Sequence, residues 1–134
     1  NVKIVTNSML VVKAFNDSDS ELFVIGGKYI EEYDMSVGSV ALNNLSNFNF
    51  DYAILGCAGL DIERQVVYTT EMETMLIKEK AMGLAVKKYL LLDDSKLSIR
   101  GFYTFVNTFD FDAIICNNSE NLNEEELPDN FIIV

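Results

Sequence analysis

Histidine is absent from these 134 residues. That absence excludes Ser-His-Asp and Cys-His nucleophilic systems and most zinc sites, because each needs an imidazole. Only two cysteines occur, Cys57 and Cys116, far apart in the chain. A thiolate zinc site is excluded too, and neither a metal nor a cofactor is expected. Any acid-base chemistry would have to use Asp, Glu, Lys or Tyr. Basic residues are scarce, 10 against 21 acidic ones, giving a formal net charge of −11 and a pI near 4.2. Such a surface repels polyphosphate at long range, so direct nucleic-acid binding by this chain is not expected. No apolar run approaches the ~20 residues that span a bilayer. The start of the chain also lacks the basic-then-apolar layout of a signal peptide. These absences read as a cytoplasmic protein with no membrane partner and with reduced core thiols.

What is present is a 49% hydrophobic chain, enough for one globular domain with its own core. Its organising stretch is Asp51 to Asp61, DYAILGCAGLD. Tyr52 to Leu55 is an apolar run without polar alternation, the pattern of a strand covered on both faces in a parallel sheet. Gly56 and Gly59 then remove side-chain bulk in a small-residue loop where the strand ends, and Asp61 is the charged residue expected to face the crevice there. In open α/β sheets that carboxyl edge is where ligands sit.

The chain begins at Asn1 without a methionine and enters a strand, Val2 to Thr6, almost at once, which reads as a piece of something longer. Thr6-Asn7-Ser8 supplies capping side chains ahead of the apolar run Met9 to Phe15, so a helix is predicted to begin near Asn7 or Ser8. An N-terminus there is either a capped helix end or an anion site, and the two roles are compatible. Glu21 to Ile25 reads as a second buried strand ending in Gly26-Gly27, and Glu31, Glu32 and Asp34 as a solvated acidic run. Ser36 is predicted to cap a helix from Val37 to about Leu45.

After Asp61 a polar connection and a short extended piece, Val66 to Tyr68, lead to a long helix predicted from Thr70 to about Lys88. Thr70 and Glu73 match a capping box. On that helix Glu73, Lys80 and Lys87 would form one polar stripe. Lys78 would point the other way, either snorkelling out or meeting a buried anion. Tyr89 to Leu92 reads as a buried strand followed by the polar turn Asp93 to Lys96. Lys96 there can reach over the crevice or simply be a surface turn lysine. Phe102 to Val106 and Phe111 to Cys116 are extended segments, a short helix is possible before Pro128, and Phe131 to Val134 is a last strand. Strands alternating with helical patterns predict an α/β domain with a parallel sheet.

Taken in order, VTNS (Val5 to Ser8), IGG (Ile25 to Gly27), DYAILGCAGLD, a helix carrying Lys78, and LDDSK (Leu92 to Lys96) resemble the effector-binding domain of DeoR-type transcriptional repressors. The resemblance covers most of the chain. It implies an α/β, three-layer Rossmann-like fold with a mainly parallel sheet, related to ribose-5-phosphate isomerase and coenzyme A transferases. It implies a sensor rather than an enzyme, binding a phosphorylated sugar through Thr6, Asn7, Ser8, Gly59, Asp61, Lys78 and Lys96. Family members normally begin with a winged helix-turn-helix, followed by a strand and a phosphate-binding loop. Residues 1–134 would thus be an N-terminally truncated effector domain, reaching DNA only through that missing module, and homo-oligomeric.

The sequence also departs from the family pattern. Ala58 stands where these proteins and their isomerase relatives often have Asp, Gln65-Val66-Val67 replaces a Gly-containing turn, and Asn117 replaces a frequent Asp. The alternative, a sugar-phosphate aldose-ketose isomerase of the same fold, needs a carboxylate base, and Ala58 removes the likeliest one. A subunit-interaction domain with a vestigial pocket is a third reading.

Overall fold

Short β-branched and aromatic runs punctuated by polar turns give the strands. The computed structural model describes residues 1–134, which form two units, Asn1–Phe48 and Asn49–Val134. In the first unit β1 (Lys3–Thr6) and β2 (Glu21–Val24) pair in parallel through the crossover helix α1 (Met9–Ala14). An antiparallel hairpin of β3 (Lys28–Ile30) and β4 (Met35–Val37) follows, and α2 (Gly38–Leu45) closes the unit. Ile25, Val37, Ala41 and Leu45 are buried, and Phe23 meets Phe48 edge to face at 5.8 Å. Gly27 is required where it stands. Its φ is +133°, and a Cβ there would lie 2.6 Å from the Val37 carbonyl oxygen.

Three expectations for this unit are corrected. The strand from Glu21 is not buried, because its one partner is β1, and Phe23 and Val24 remain exposed. Ser36 does not cap a helix; it is a buried residue of β4, and the N-cap position of α2 is Val37. Neither Asn7 nor Ser8 caps α1 through its side chain. Asn7 and Ser36 are instead tied to each other across the unit, while Ser8 holds the N-cap position of α1 with its backbone alone.

The second unit holds the main sheet, four strands in the order β11-β10-β8-β5, all parallel. Its strands are β5 (Phe50–Leu55), β8 (Ala85–Leu92), β10 (Ala113–Cys116) and β11 (Phe131–Ile133). Between β5 and β8 the chain makes β6 (Gly59–Asp61), β7 (Val66–Thr69) and the helix α3 (Met72–Gly83). With β9 (Tyr103–Asn107), β6 and β7 form a separate antiparallel sheet. One core joins these layers: Leu60 and Val67 from the small sheet, Phe105 from β9, Met82 from α3, Leu90 and Ile114 from the main sheet, and Phe111. The chain is therefore α/β and Rossmann-like with a mainly parallel sheet, as its alternating pattern predicts. No helix is long and apolar enough to cross a membrane.

Here too the structure redraws boundaries. The apolar run before Gly56 is an edge strand, with Tyr52 59% and Ile54 65% exposed, so it is not covered on both faces. Residues 59–61 are not loop but strand β6, with Leu60 fully buried. The long helix ends at Gly83, not near Lys88, because residues 85–88 are drawn into the parallel ladder against β5. Lys87 consequently leaves the predicted polar stripe. The cap is Glu71 rather than Thr70: its carboxylate accepts the N–H groups of Glu73 at 2.8 Å and Thr74 at 3.2 Å. A charged acceptor at a helix N-terminus also meets the positive end of the dipole. Glu71→Ala is expected to lower unfolding free energy by about 1 kcal/mol, the usual loss for a removed N-cap. Equilibrium urea denaturation followed by circular dichroism would show it, and an unchanged midpoint would mean the cap is redundant.

Candidate functional site

Thr6, Asn7 and Ser8 belong to the first unit, and Gly59, Asp61, Lys78 and Lys96 to the second. The Thr6–Ser8 turn leaves the carboxyl end of β1 and is fastened by its own hydroxyl, Thr6 Oγ1 accepting the Ser8 N–H at 3.1 Å. Asn7 is tied to β4 from both sides. Its side-chain Nδ2 donates to the Ser36 carbonyl at 2.9 Å, and its carbonyl accepts the Ser36 N–H at 2.8 Å. The next N–H, of Met9, donates to the Asp34 carbonyl at 2.8 Å. Asp34 itself takes a left-handed backbone, φ 52°, and its carboxylate receives hydrogen bonds from the Tyr29 hydroxyl and from Lys13 Nζ. Those donors, Tyr29 first, hold its carboxyl below the usual carboxylate range.

In the second unit the chain crosses from β5 to β6 through Gly56-Cys57-Ala58, and Cys57 is the hub of the charges around it. Its thiol feels the ammonium groups of Lys78 and Lys96 and the carboxylate of Asp93. Burial outweighs the two cations and pushes the thiol up, so it stays protonated at neutral pH. Lys78 comes from α3 and Lys96 from the turn after β8. Lysines from α3 and from the turn after β8 thus both act electrostatically on Cys57.

The two lysines differ in surroundings. Lys78 is largely buried, with Nζ 5.9 Å from the centre of the Phe105 ring. Burial pushes its ammonium down, opposed by Cys57 and Glu71. Lys96 ends the 3-10 turn Asp94–Lys96 and is only partly buried. That turn is well fixed. Asp93 accepts the Ser95 N–H at 2.9 Å and the Ser95 hydroxyl. Asn117 accepts the Asp94 N–H at 2.8 Å through Oδ1 and donates from Nδ2 to the Asp94 carboxylate at 3.2 Å. The amide serves as both donor and acceptor, which a carboxylate cannot do.

Gly59 is a packing residue of β6, pressed against Ile99. Asp61 ends the same strand, where its carboxylate accepts the Arg64 N–H at 3.0 Å and so closes the turn into β7. It is not among the charges felt at Cys57. Cys57, Asp93 and Glu71 were not singled out as site residues from sequence. A small-residue segment directly after an apolar strand was the one signal that pointed to Cys57.

Comparison with known proteins identifies the family. A family model described as the DeoR C terminal sensor domain matches residues 1–118. The HTH-type transcriptional repressor GlcR of Bacillus subtilis is 28% identical over 119 residues, 88% of this chain and 45% of that protein. The HTH-type transcriptional regulator GlpR of Haloferax volcanii is 30% identical over 122 residues, 91% of this chain and 48% of that protein. The lactose phosphotransferase system repressor of Lactococcus lactis is 31% identical over 118 residues, covering 87% and 46% respectively. The chain spans about half the length of these relatives. With the family model covering most of its residues, this chain belongs to the DeoR family, as a C-terminal sensor domain.

Proposed function

We propose that this sensor domain binds a phosphorylated sugar or a closely related metabolite and thereby controls DNA binding by a helix-turn-helix module in the same polypeptide. The observation that carries the reading is the match of residues 1–118 to a sensor-domain family model, and Lys78 and Lys96, whose charges both act on the Cys57 thiol, are the candidate anion contacts. In a chain with twice as many acidic as basic residues, two ammonium groups acting on one residue favour an anionic ligand. A phosphate dianion accepts charge-assisted hydrogen bonds from a lysine more strongly than a neutral group does. The relatives add two supports: two are HTH-type regulators, and one is a phosphotransferase system repressor.

In this reading Lys96, in the second unit, takes the phosphate. Gly59 and Asp61 support the same unit's segment, and Thr6, Asn7 and Ser8 are a separate candidate contact within the first unit. Residues 1–134 act as the effector domain, and the whole protein acts as a homo-oligomer in the cytoplasm. Signalling needs only differential affinity: the ligand binds one conformation or assembly more tightly, and that difference biases the attached DNA reader. The isomerase alternative gains no support, since Ala58 offers no carboxylate and Asp61 is engaged in the β6–β7 turn.

A thermal-shift panel of sugar phosphates identifies the stabilising compound, and calorimetry of Lys96→Ala against that compound tests the site. Losing a charge-assisted contact is expected to cost about 1.5–3 kcal/mol, or roughly 10- to 150-fold in affinity. The melting temperature of the ligand-free variant should not move, because Lys96 is a turn residue outside the core. Parent-like affinity would make Lys96 a surface lysine and remove the site assignment.

A further inference from the structure

We propose a second ligand site, at the amino edge of the main sheet, for a neutral polyhydroxylated molecule such as an unphosphorylated sugar. It goes beyond the sugar-phosphate reading and is independent of it. A cavity of about 410 Å³ lies among the turn before β7, the turn after β9 and the loop into β11, and Gln65, Thr108, Phe109, Pro128, Asp129 and Asn130 line most of it. Its volume is in the range of small-molecule pockets. Phe111 and the Pro128–Asn130 loop precede β10 and β11, whereas Cys57 and Lys96 follow β5 and β8. These strands are all parallel, so the cavity and the two lysines lie at opposite edges of one sheet.

The second observation is the Thr108 hydroxyl. Thr108 is 0% exposed, and its Oγ1 has no hydrogen-bond partner in the protein. Buried hydroxyls are nearly always paired, and an orphan in a cavity wall points to a partner supplied from outside. The polar groups around it are already committed. The Thr108 N–H donates to the Gln65 carbonyl at 3.0 Å. Asn130 Nδ2 donates to the Thr108 carbonyl at 3.0 Å and to the Phe111 carbonyl at 2.8 Å, which uses both amide hydrogens and leaves Oδ1 to accept. The wall therefore offers a hydroxyl, an amide oxygen, the Gln65 amide and the Asp129 carboxylate, with no lysine or arginine. That set repels a phosphate and suits a ligand rich in hydroxyl donors. One exposed carboxylate among neutral groups favours a polyol over a cation. Phe109, 69% exposed, supplies an aromatic wall, and the negative face of such a ring attracts the polarised C–H groups of a sugar.

The test is amide proton–nitrogen correlation NMR of the whole chain, titrated with glucose, galactose and ribose at millimolar concentration, and with glucose 6-phosphate and methylammonium as contrasts. The expected result is that at least one neutral sugar shifts the amide signals of Gln65, Thr108, Phe109, Asp129 and Asn130, and that neither contrast compound does. Phe109→Ala, at an exposed position, should weaken that binding roughly ten-fold or more. Thr108→Val should weaken it as well, with the ligand-free urea midpoint unchanged or raised, because the hydroxyl it removes has no partner. No shift at these amides with any neutral sugar overturns the site. Equal shifts with glucose 6-phosphate or methylammonium overturn the ligand class, and parent-like affinity in both variants overturns the assignment to this cavity. None of these outcomes bears on the lysines at the carboxyl edge, which answer to the Lys96→Ala measurement.

Discussion

Gly59→Ala is expected to destabilise the second unit by about 3 kcal/mol or more, at or beyond the top of the range for an overpacked core. A Cβ at this position would lie 2.1 Å from the Ile99 carbonyl oxygen and 2.8 Å from the Ile99 carbonyl carbon. Both are backbone atoms, so no rotamer change relieves the clash. The Ile99 segment is also held in place, since the Ser98 N–H donates to the Leu60 carbonyl at 2.9 Å and Leu60 bridges to Leu97. Either β6 must leave its ladder with β7 or the loop after Lys96 must lift. The second response would carry Lys96 with it, so sugar-phosphate affinity should fall together with the urea midpoint. Gly56→Ala is the control. The nearest atom to its Cβ would be the Leu91 carbonyl oxygen at 4.0 Å, ordinary contact, and its midpoint should stay close to the parent's. Equal midpoints for the two variants would show that the close approach at Gly59 does not limit stability.

Leu90→Ala should cost about 2–5 kcal/mol, the range for emptying a fully buried leucine site. Leu90 lies on β8, which has neighbours on both sides, and pairs with Leu55 of β5 and Ile114 of β10. It is 0% exposed and packs in the cluster of Leu60, Val67, Met82, Phe105, Phe111 and Ile114. Parallel strands on both flanks prevent the backbone from collapsing into the void, which places the expected loss in the upper half of that range. Since domains of this size are stable by only about 5–15 kcal/mol, much of the margin would go. The next residue gives the contrast. Leu91 points to the opposite face and is 47% exposed, so Leu91→Ala should change stability by about 0.5 kcal/mol or less, as surface substitutions do. Chemical denaturation of the two variants decides the matter: similar losses would mean that the two faces of β8 are equally covered.

Much of the main sheet was legible. Tyr89 to Leu92 and Ala113 to Cys116 are strands β8 and β10 with neighbours on both sides, though of the first run only Leu90 is buried, and the polar turn after Leu92 marks where β8 ends. The edge strand β5 carries the same kind of run, and periodicity alone cannot distinguish it from an interior strand. The end of α3 was not legible for a related reason. Residues 85–88, AVKK, suit a helix as readily as a strand, and pairing with β5 overrides so weak a preference. Ser36 likewise satisfies the local pattern of a helix cap, while the contacts that make it a strand residue come from Lys28–Ile30 and from Asn7.

For the site, the sequence by itself determined which chemistry is possible: no imidazole, an acidic background, a lysine at position 78 on a helix and one at position 96 in the turn after a strand. It also carried the family, through ordered short motifs that keep their spacing. Only the tertiary structure decided that Lys78 lies over the Phe105 ring, that Lys78 and Lys96 both act on Cys57, and that Asp61 closes a hairpin turn. The reason is physical. Periodicity and capping depend on neighbours a few residues apart, whereas a lysine's environment is set by Phe105, Cys57 and Glu71, brought to it from β9, the β5–β6 crossing and the start of α3.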